Sequence, residues 1–246
     1  VTLKGVAECR ADVHRRHDLP EDHLVGVGVD RLDYTKGILE RFLAVERLLE
    51  LQPRWRGNFS FIQIAAPSRS EIAQYRNFQA LVEAAAARIN ERFGDKDYRP
   101  IILSIAHHEP AEVYEYYRAA EVCVVSSLHD GMNLVAKEFA ASRDDERGVL
   151  ILSQFTGAAR ELPEALVVNP YDIDQFAGAL GLALTMPLTE QRDRMRIMRA
   201  LIREFNVYRW AGRMLLDAAG MRKRGRLAAT EPVPRPRLVR MAGGRG

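Results

Sequence analysis

The amino-acid sequence predicts an α/β fold built on a doubly wound parallel sheet of about six strands. Apolar runs of strand length alternate with longer stretches of helical period, as they do in chains of βαβ units. The runs are continuously apolar, which indicates strands that are buried on both faces. In such sheets ligands bind beyond the carboxyl ends of the strands, so the loops that follow the strands are the places to look for a site.

The strands and helices follow one another along the chain. One helix begins near Gly37, and another begins at the capping residue Ser70 and ends at Gly94, because serine and glycine are typical of the two ends of a helix. Asp172 precedes a third helix, and a helical region starts at Thr189. The strands are predicted at Leu24–Val29, Phe59–Ala65, Ile101–Ile105, Val122–Val125, Val149–Leu152 and Ala165–Val168.

Composition separates a globular body from a basic tail. We predict one domain over residues 1–220 and a disordered tail over residues 221–246, because the tail combines prolines, glycines and like charges without periodicity. Eight of the 36 Lys and Arg residues but one of the 33 acids lie in the tail, which leaves the body with a formal charge of −4. The pI of about 9.0 therefore comes from the tail, and we do not expect nucleic-acid binding as the main function.

Other broad classes are excluded by what the sequence lacks. No apolar run approaches the length of a membrane span, and two cysteines cannot form a disulfide framework. We expect a soluble cytoplasmic protein without a membrane partner. The histidines lack the spacing of a metal site, and no nucleophile motif is present, so we expect neither a metal nor a cofactor.

The loop after the first strand, "VDRLDYTKGI", carries two cations ahead of a helix. Arg31 and Lys36 are five residues apart across a turn, so a guanidinium and an ammonium can converge on one dianionic group at the helix N-terminus. Two surface ion pairs, Arg31 with Asp33 and Lys36 with Glu40, account equally well for these charges.

The loop after the second strand, "AAPSRSE", places Arg69 where the next helix begins. One basic side chain among the free amides of a helix start can hold a phosphate. This signal is weak by itself, and a capping Ser70 beside a solvent-exposed Arg69 is the simpler interpretation.

The loop after the fourth strand runs into "SSLHDGMNLVAKE". Gly131 lets the backbone approach a ligand closely, and the amides of a helix that starts near Met132 can accept an anion. Glu138 lies further along this helix, where its carboxylate can accept hydrogen bonds from a vicinal diol such as ribose. The alternatives are an N-cap role for Asp130 and an ion pair of Glu138 with Lys137 or Arg143. We favour binding for the loop as a whole.

Five segments, in this order, resemble the trehalose-6-phosphate synthase family. The resemblance covers roughly residues 25–219 and implies the Rossmann-like C-terminal half of a two-domain retaining glycosyltransferase, the half that holds the nucleotide-sugar donor. The segments are "GVDRLDYTKGI", "APSR", "DGMNLVAKEF", "GVLILSQFTGAARELPEALVVNPYD" and "NVYRW".

The resemblance implies a role for each candidate residue. Arg31 and Lys36 would grip the diphosphate of UDP-glucose and stabilise the leaving group, Glu138 would hold the ribose, and Asp130 would bind hydroxyls of the transferred glucose. Arg31, Lys36 and Asp130 would thus be the catalytic residues of this half. Arg69 would meet the phosphate of glucose 6-phosphate, with no metal at the diphosphate. Backbone groups would line the glucose and diphosphate at Gly131, Met132, Asn133, Leu134 and Val135.

The implied activity is glucosyl transfer from UDP-glucose to glucose 6-phosphate, which yields trehalose 6-phosphate and UDP. The alternatives are a related synthase with another acceptor, such as one that makes glucosylglycerol phosphate, and a non-catalytic nucleotide-sugar-binding module. The family's N-terminal domain, which carries a catalytic-site histidine and arginine, has no counterpart here, so a missing domain or a separate chain is an expected partner. His129 also departs from the arginine that family members often carry before Asp130.

Overall fold

The computed structural model describes residues 4–68 and 73–230. The chain divides into two compact units, Val1–Arg203 and Glu204–Gly246. The strands are β1 (Leu24–Arg31), β2 (Phe59–Ala66), β3 (Ile101–Ser104), β4 (Val122–Val125), β5 (Val149–Ser153) and β6 (Leu166–Val168). The helices are α1 (Val6–Arg16), α2 (Ile38–Leu51), α3 (Ala73–Phe93), α4 (Pro110–Ala119), α5 (Leu134–Ser142), α6 (Ala158–Glu161), α7 (Ile173–Thr185), α8 (Leu188–Glu204) and α9 (Val207–Thr230).

The six strands of the described residues form one parallel sheet in the order β3-β2-β1-β4-β5-β6. This confirms the predicted fold class, and each predicted strand agrees with the observed one to within two residues. The strand order reverses between β1 and β4, which lie side by side although two strands separate them in sequence. A crevice opens at such a reversal, and ligands bind there in doubly wound sheets.

Helices cover both faces of the sheet. On one face α2, α3 and α7 pack over a core that includes Phe42 and Phe176. On the other face α1, α4, α5 and α8 enclose a second core, which includes Tyr116 and Phe139. Successive strand residues point into opposite cores, which explains why the strands are continuously apolar. Among the described helices, none combines the length and the apolarity that a bilayer crossing requires.

The second unit contains α9, which begins with a side-chain cap. The Asn206 carboxamide oxygen accepts hydrogen bonds from the amides of Tyr208 and Arg209, at 3.0 and 3.1 Å. The helix includes residues 221–230, for which the composition predicts disorder. These residues are mostly good helix formers, and the first proline of the tail is Pro232. Residues 231–246 of the predicted tail lie outside the described residues.

Candidate functional site

Hydrogen bonds join the loop after β1 to the end of β4 at the reversal of strand order. The amide of Leu128 donates to the carbonyl oxygen of Thr35 at 2.7 Å. The Ser126 hydroxyl donates to the carbonyl oxygen of Gly37 at 2.8 Å. Gly37 has a φ of 65°, and a β-carbon on it would lie 2.1 Å from the Ser126 carbonyl oxygen. Two of the three loops that the sequence singled out, those after β1 and β4, therefore form one tightly joined surface.

Lys36 and Asp130 meet on this surface. The ammonium lies 2.7 Å from Oδ2 of the carboxylate, and each side chain is 17% exposed. The same oxygen accepts hydrogen bonds from the Asn133 carboxamide at 3.1 Å and the Ser127 hydroxyl at 3.3 Å, whereas Oδ1 accepts none from the described residues. Partial burial raises the pKa of Asp130, but the hydrogen bonds from Lys36 and Asn133 outweigh it and hold that pKa below its ordinary value.

Neither local alternative for these two residues is realised. Lys36 pairs across the loops with Asp130 rather than with Glu40. Asp130 is not the N-cap of α5, because Asn133 takes that place and accepts a hydrogen bond from the amide of Ala136 at 3.1 Å. The sequence placed the start of this helix near Met132, and the structure begins it two residues later.

The start of α5 leaves donors and open space beside the ion pair. Asn133 has a φ of 76°, which turns the chain sharply into the helix. The first amides of a helix have no partner inside it, and the cap uses only that of Ala136. A β-carbon on Gly131 would meet no described atom within 4 Å. Leu134, the first residue of the helix, is 59% exposed.

Glu138 lies on the exposed side of α5 and is bound by a buried tyrosine. The hydroxyl of Tyr117 donates to its Oε2 at 3.2 Å. The predicted alternatives do not occur, because Lys137 pairs with Glu161 at 2.5 Å and Arg143 pairs with Asp145 at 2.9 Å. The carboxylate is thus available at the surface.

Arg31 and Arg69 are less closely defined. The Arg31 side chain is 59% exposed, and its Nη2 lies 3.9 Å from Oδ2 of Asp33, which is the ion pair that the sequence offered as an alternative. This long contact leaves the guanidinium free to reach an anion. Arg69 and its neighbour Ser70 lie outside the described residues, so the role of the second loop stays a prediction.

A buried charge that the sequence did not predict lies beneath the loops. Arg41 is completely buried, and its Nη1 lies 2.9 Å from Oδ2 of Asp30 and 2.5 Å from Oε1 of Gln63. Its Nε donates to Oγ of Ser126 at 3.0 Å. Burial raises the pKa of Asp30, while the attraction of Arg41 opposes that rise. A β-carbon on Gly28 would lie 2.1 Å from Nη1, so this glycine in β1 was the available signal.

The described residues contain no group of three or more His, Cys, Asp and Glu side chains that could hold a metal ion.

Among curated proteins, the chain is similar to trehalose-6-phosphate synthases. The synthase of Klebsiella pneumoniae is 46% identical over 190 residues, which are 77% of this chain and 40% of that protein. The synthase of Sodalis glossinidius is 45% identical over 192 residues, which are 78% of this chain and 41% of that protein. The chain therefore spans about two fifths of the length of these relatives.

Solved structures give the same result. An α,α-trehalose-phosphate synthase (UDP-forming) of Burkholderia xenovorans, in complex with glucose-6-phosphate, matches with a TM-score of 0.81 and 42% identity over 86% of this chain and 48% of that chain. An E. coli relative bound with UDP-2-fluoro glucose matches with a TM-score of 0.80 and 38% identity over the same shares.

The model of glycosyltransferase family 20 matches residues 6–219, which is most of the chain. This match and the identities above lead to one conclusion: the chain belongs to glycosyltransferase family 20.

Proposed function

We propose that this chain supplies the donor-binding part of a retaining glycosyltransferase that moves glucose from UDP-glucose to glucose 6-phosphate, giving trehalose 6-phosphate and UDP. The observation that carries the proposal is the meeting of Lys36, Asp130 and the start of α5 at the reversal of strand order. It is supported by membership of the family and by the relatives solved with glucose-6-phosphate and with UDP-2-fluoro glucose.

Lys36 is suited to a diphosphate because its donors are only partly used. An ammonium has three hydrogens, and Asp130 accepts one of them, which leaves two for phosphate oxygens. The free amides at the start of α5 add donors and the positive end of the helix dipole. Arg31 adds a second cation when it leaves its 3.9 Å contact with Asp33. These groups take the place of a divalent metal, and the proposal includes none.

The same groups favour the chemical step. As the bond between glucose and the diphosphate breaks, negative charge grows on the leaving oxygens. Fixed cations and amides aimed at that charge lower the barrier, and each such donor is worth on the order of 10² to 10³ in rate. Lys36 is held in place by Asp130, so little reorganisation is needed when the charge develops.

The remaining candidate residues bind the rest of the substrates. Oδ1 of Asp130 accepts no hydrogen bond from the described residues, so it can accept hydrogen bonds from the glucose hydroxyls. The open space beside Gly131 lets the backbone of residues 131–135 approach the glucose. Glu138 accepts hydrogen bonds from the hydroxyls of the ribose. Arg69, outside the described residues, is assigned to the phosphate of the acceptor.

Binding and turnover are tested separately, because the chain spans only part of its relatives. Calorimetry with UDP and UDP-glucose measures the first, and UDP release in the presence of glucose 6-phosphate, with and without EDTA, measures the second. We expect binding of both nucleotides, and we expect Lys36→Ala to weaken it about tenfold to a hundredfold. The matched control is Lys96→Ala, since that side chain is exposed and pairs loosely with Asp97 at 3.6 Å.

Failure of the wild-type chain to bind UDP, or equal affinities for the wild type and Lys36→Ala, would refute the donor site. Binding without UDP release would limit this chain to a donor-binding module. Release that EDTA abolishes would show that a metal takes part.

A further inference from the structure

We propose that Tyr117 is a positioning residue, which orients the carboxylate of Glu138 for the pentose of the bound nucleotide. The inference rests on the proposed function, because that function gives Glu138 its ligand. Tyr117 belongs to α4 and Glu138 to α5, so the contact joins two helices. The tyrosine hydroxyl lies 3.2 Å from Oε2 of the glutamate.

The tyrosine is fixed by its surroundings. It is 2% exposed, and its ring meets the ring of Phe139 edge to face, with centroids 6.4 Å apart. A buried phenol needs a hydrogen-bond partner, and among the described residues the only acceptor of this hydroxyl is Glu138. Burial raises the pKa of Tyr117, so the hydroxyl stays protonated and remains a donor.

The glutamate gains orientation from this bond. Glu138 is exposed, and a free glutamate on a helix surface samples many rotamers that binding must restrict. The bond from Tyr117 holds Oε2 against the core, while Oε1 accepts no hydrogen bond from the described residues. One oxygen is thereby anchored, and the carboxylate still has acceptor capacity for the two hydroxyls of a ribose.

A thermodynamic cycle separates positioning from a merely structural role. Calorimetry measures the affinities of the full chain and of Tyr117→Phe for UDP and for 2′,3′-dideoxy-UDP. We expect Tyr117→Phe to weaken UDP binding about threefold to tenfold, since one hydrogen bond to a charged group is lost. The affinity for the dideoxy analogue should not change, because that ligand lacks the hydroxyls that donate hydrogen bonds to Glu138. In a Glu138→Ala background, Tyr117→Phe should have no effect on UDP.

Tyr98→Phe is the matched control. Tyr98 is also a buried tyrosine, and its hydroxyl donates at 2.8 Å to the carbonyl oxygen of Phe59, the first residue of β2 and thus at the other end of the strand from the site. Tyr98→Phe should lower the free energy of unfolding and leave the affinities for UDP and for the dideoxy analogue unchanged.

Four results would overturn the inference. Tyr117→Phe could leave the affinity for UDP unchanged. It could also lower the affinities for UDP and for the dideoxy analogue equally, which would make the role of Tyr117 structural. A wild-type chain that binds UDP no more tightly than the analogue would show that Glu138 does not hold the pentose. A wild-type chain that binds neither ligand would instead refute the proposed function, and the inference with it.

Discussion

Lys36 and Asp130 are 94 residues apart in sequence, yet their side chains meet at 2.7 Å. The sheet brings this about, because β1 and β4 are neighbours and the two residues follow these strands. The pair sets a positive and a negative group side by side where the strand order reverses. A ligand that binds there satisfies both only if it carries an anion for Lys36 and hydroxyl groups for Asp130.

Asp130→Asn should therefore change selectivity rather than abolish binding. Removal of the carboxylate ends its repulsion of a diphosphate, so we expect UDP to bind roughly threefold to tenfold more tightly. The affinity for UDP-glucose should rise less, because the hydroxyls of its glucose lose a charged hydrogen-bond acceptor. The ratio of the two dissociation constants, measured by calorimetry, checks this. An unchanged ratio would contradict a role for Asp130 in recognising the sugar.

Two glycines in the joined loops should respond differently to alanine. Gly37 has a φ of 65° and lies against the Ser126 carbonyl, so we expect Gly37→Ala to lower the free energy of unfolding by about 2 kcal/mol or more. Gly131 borders open space, so Gly131→Ala should fold normally, while its methyl group obstructs the ligand and weakens UDP-glucose binding. Urea unfolding and calorimetry measure the two effects.

The control for these substitutions is Gly178→Ala in α7, where a β-carbon also meets no described atom within 4 Å. A helix-interior alanine should raise stability by about 0.5–1 kcal/mol without a change in affinity. Normal UDP-glucose binding by Gly131→Ala would show that the ligand does not approach this glycine.

The strands could be predicted from the sequence because burial on both faces produces continuous apolar runs. The loops could be predicted because polar residues follow those runs at the ends of β1 and β4. The contacts within the site could not. Local spacing offered Lys36 a partner four residues away, whereas the real one depends on strand order. The helix cap that Asn133 forms depends on its positive φ, which the sequence does not reveal. Arg41 lies on an amphipathic helix, where a charged residue is normally exposed.

Arg41 should matter more for stability than any exposed arginine of its helix. Arg41→Met leaves the Asp30 carboxylate, which is 3% exposed, without its cation, and we expect a loss of about 3–5 kcal/mol in the free energy of unfolding. Arg47→Ala is the control on the same helix, because it breaks exposed ion pairs with Glu50 and Asp174 and should cost less than about 1 kcal/mol. Urea unfolding of both variants measures the difference.

A second substitution tests the cause. In the double variant Arg41→Met/Asp30→Asn the buried charge is gone, and part of the lost stability should return. If Arg41→Met cost no more than Arg47→Ala, the buried pair would not contribute to stability in the way expected.

Two buried histidines should make the protein sensitive to mild acid. Nδ1 of His14 lies 2.6 Å from the carbonyl oxygen of Pro20, and Nε2 of His23 lies 2.9 Å from the Ser60 hydroxyl. The other ring nitrogen of each is buried without a hydrogen-bond partner among the described residues. Burial is the main cause that lowers the pKa of both side chains.

The direction of this pH dependence follows from proton uptake by the folded and unfolded chains. The unfolded chain protonates these histidines near pH 6.5, whereas the folded chain does so only at lower pH, so their contribution to stability is complete above about pH 6.5 and is lost as the pH falls below it. We expect the free energy of unfolding to decrease between pH 7 and pH 5, and the slope to be smaller in His14→Gln/His23→Asn. His107→Gln, at an exposed position, is the control for loss of an imidazole. Equal slopes in the wild type and the double variant would assign the acid sensitivity to other groups, since the slope counts the difference in protons bound by the unfolded and folded chains.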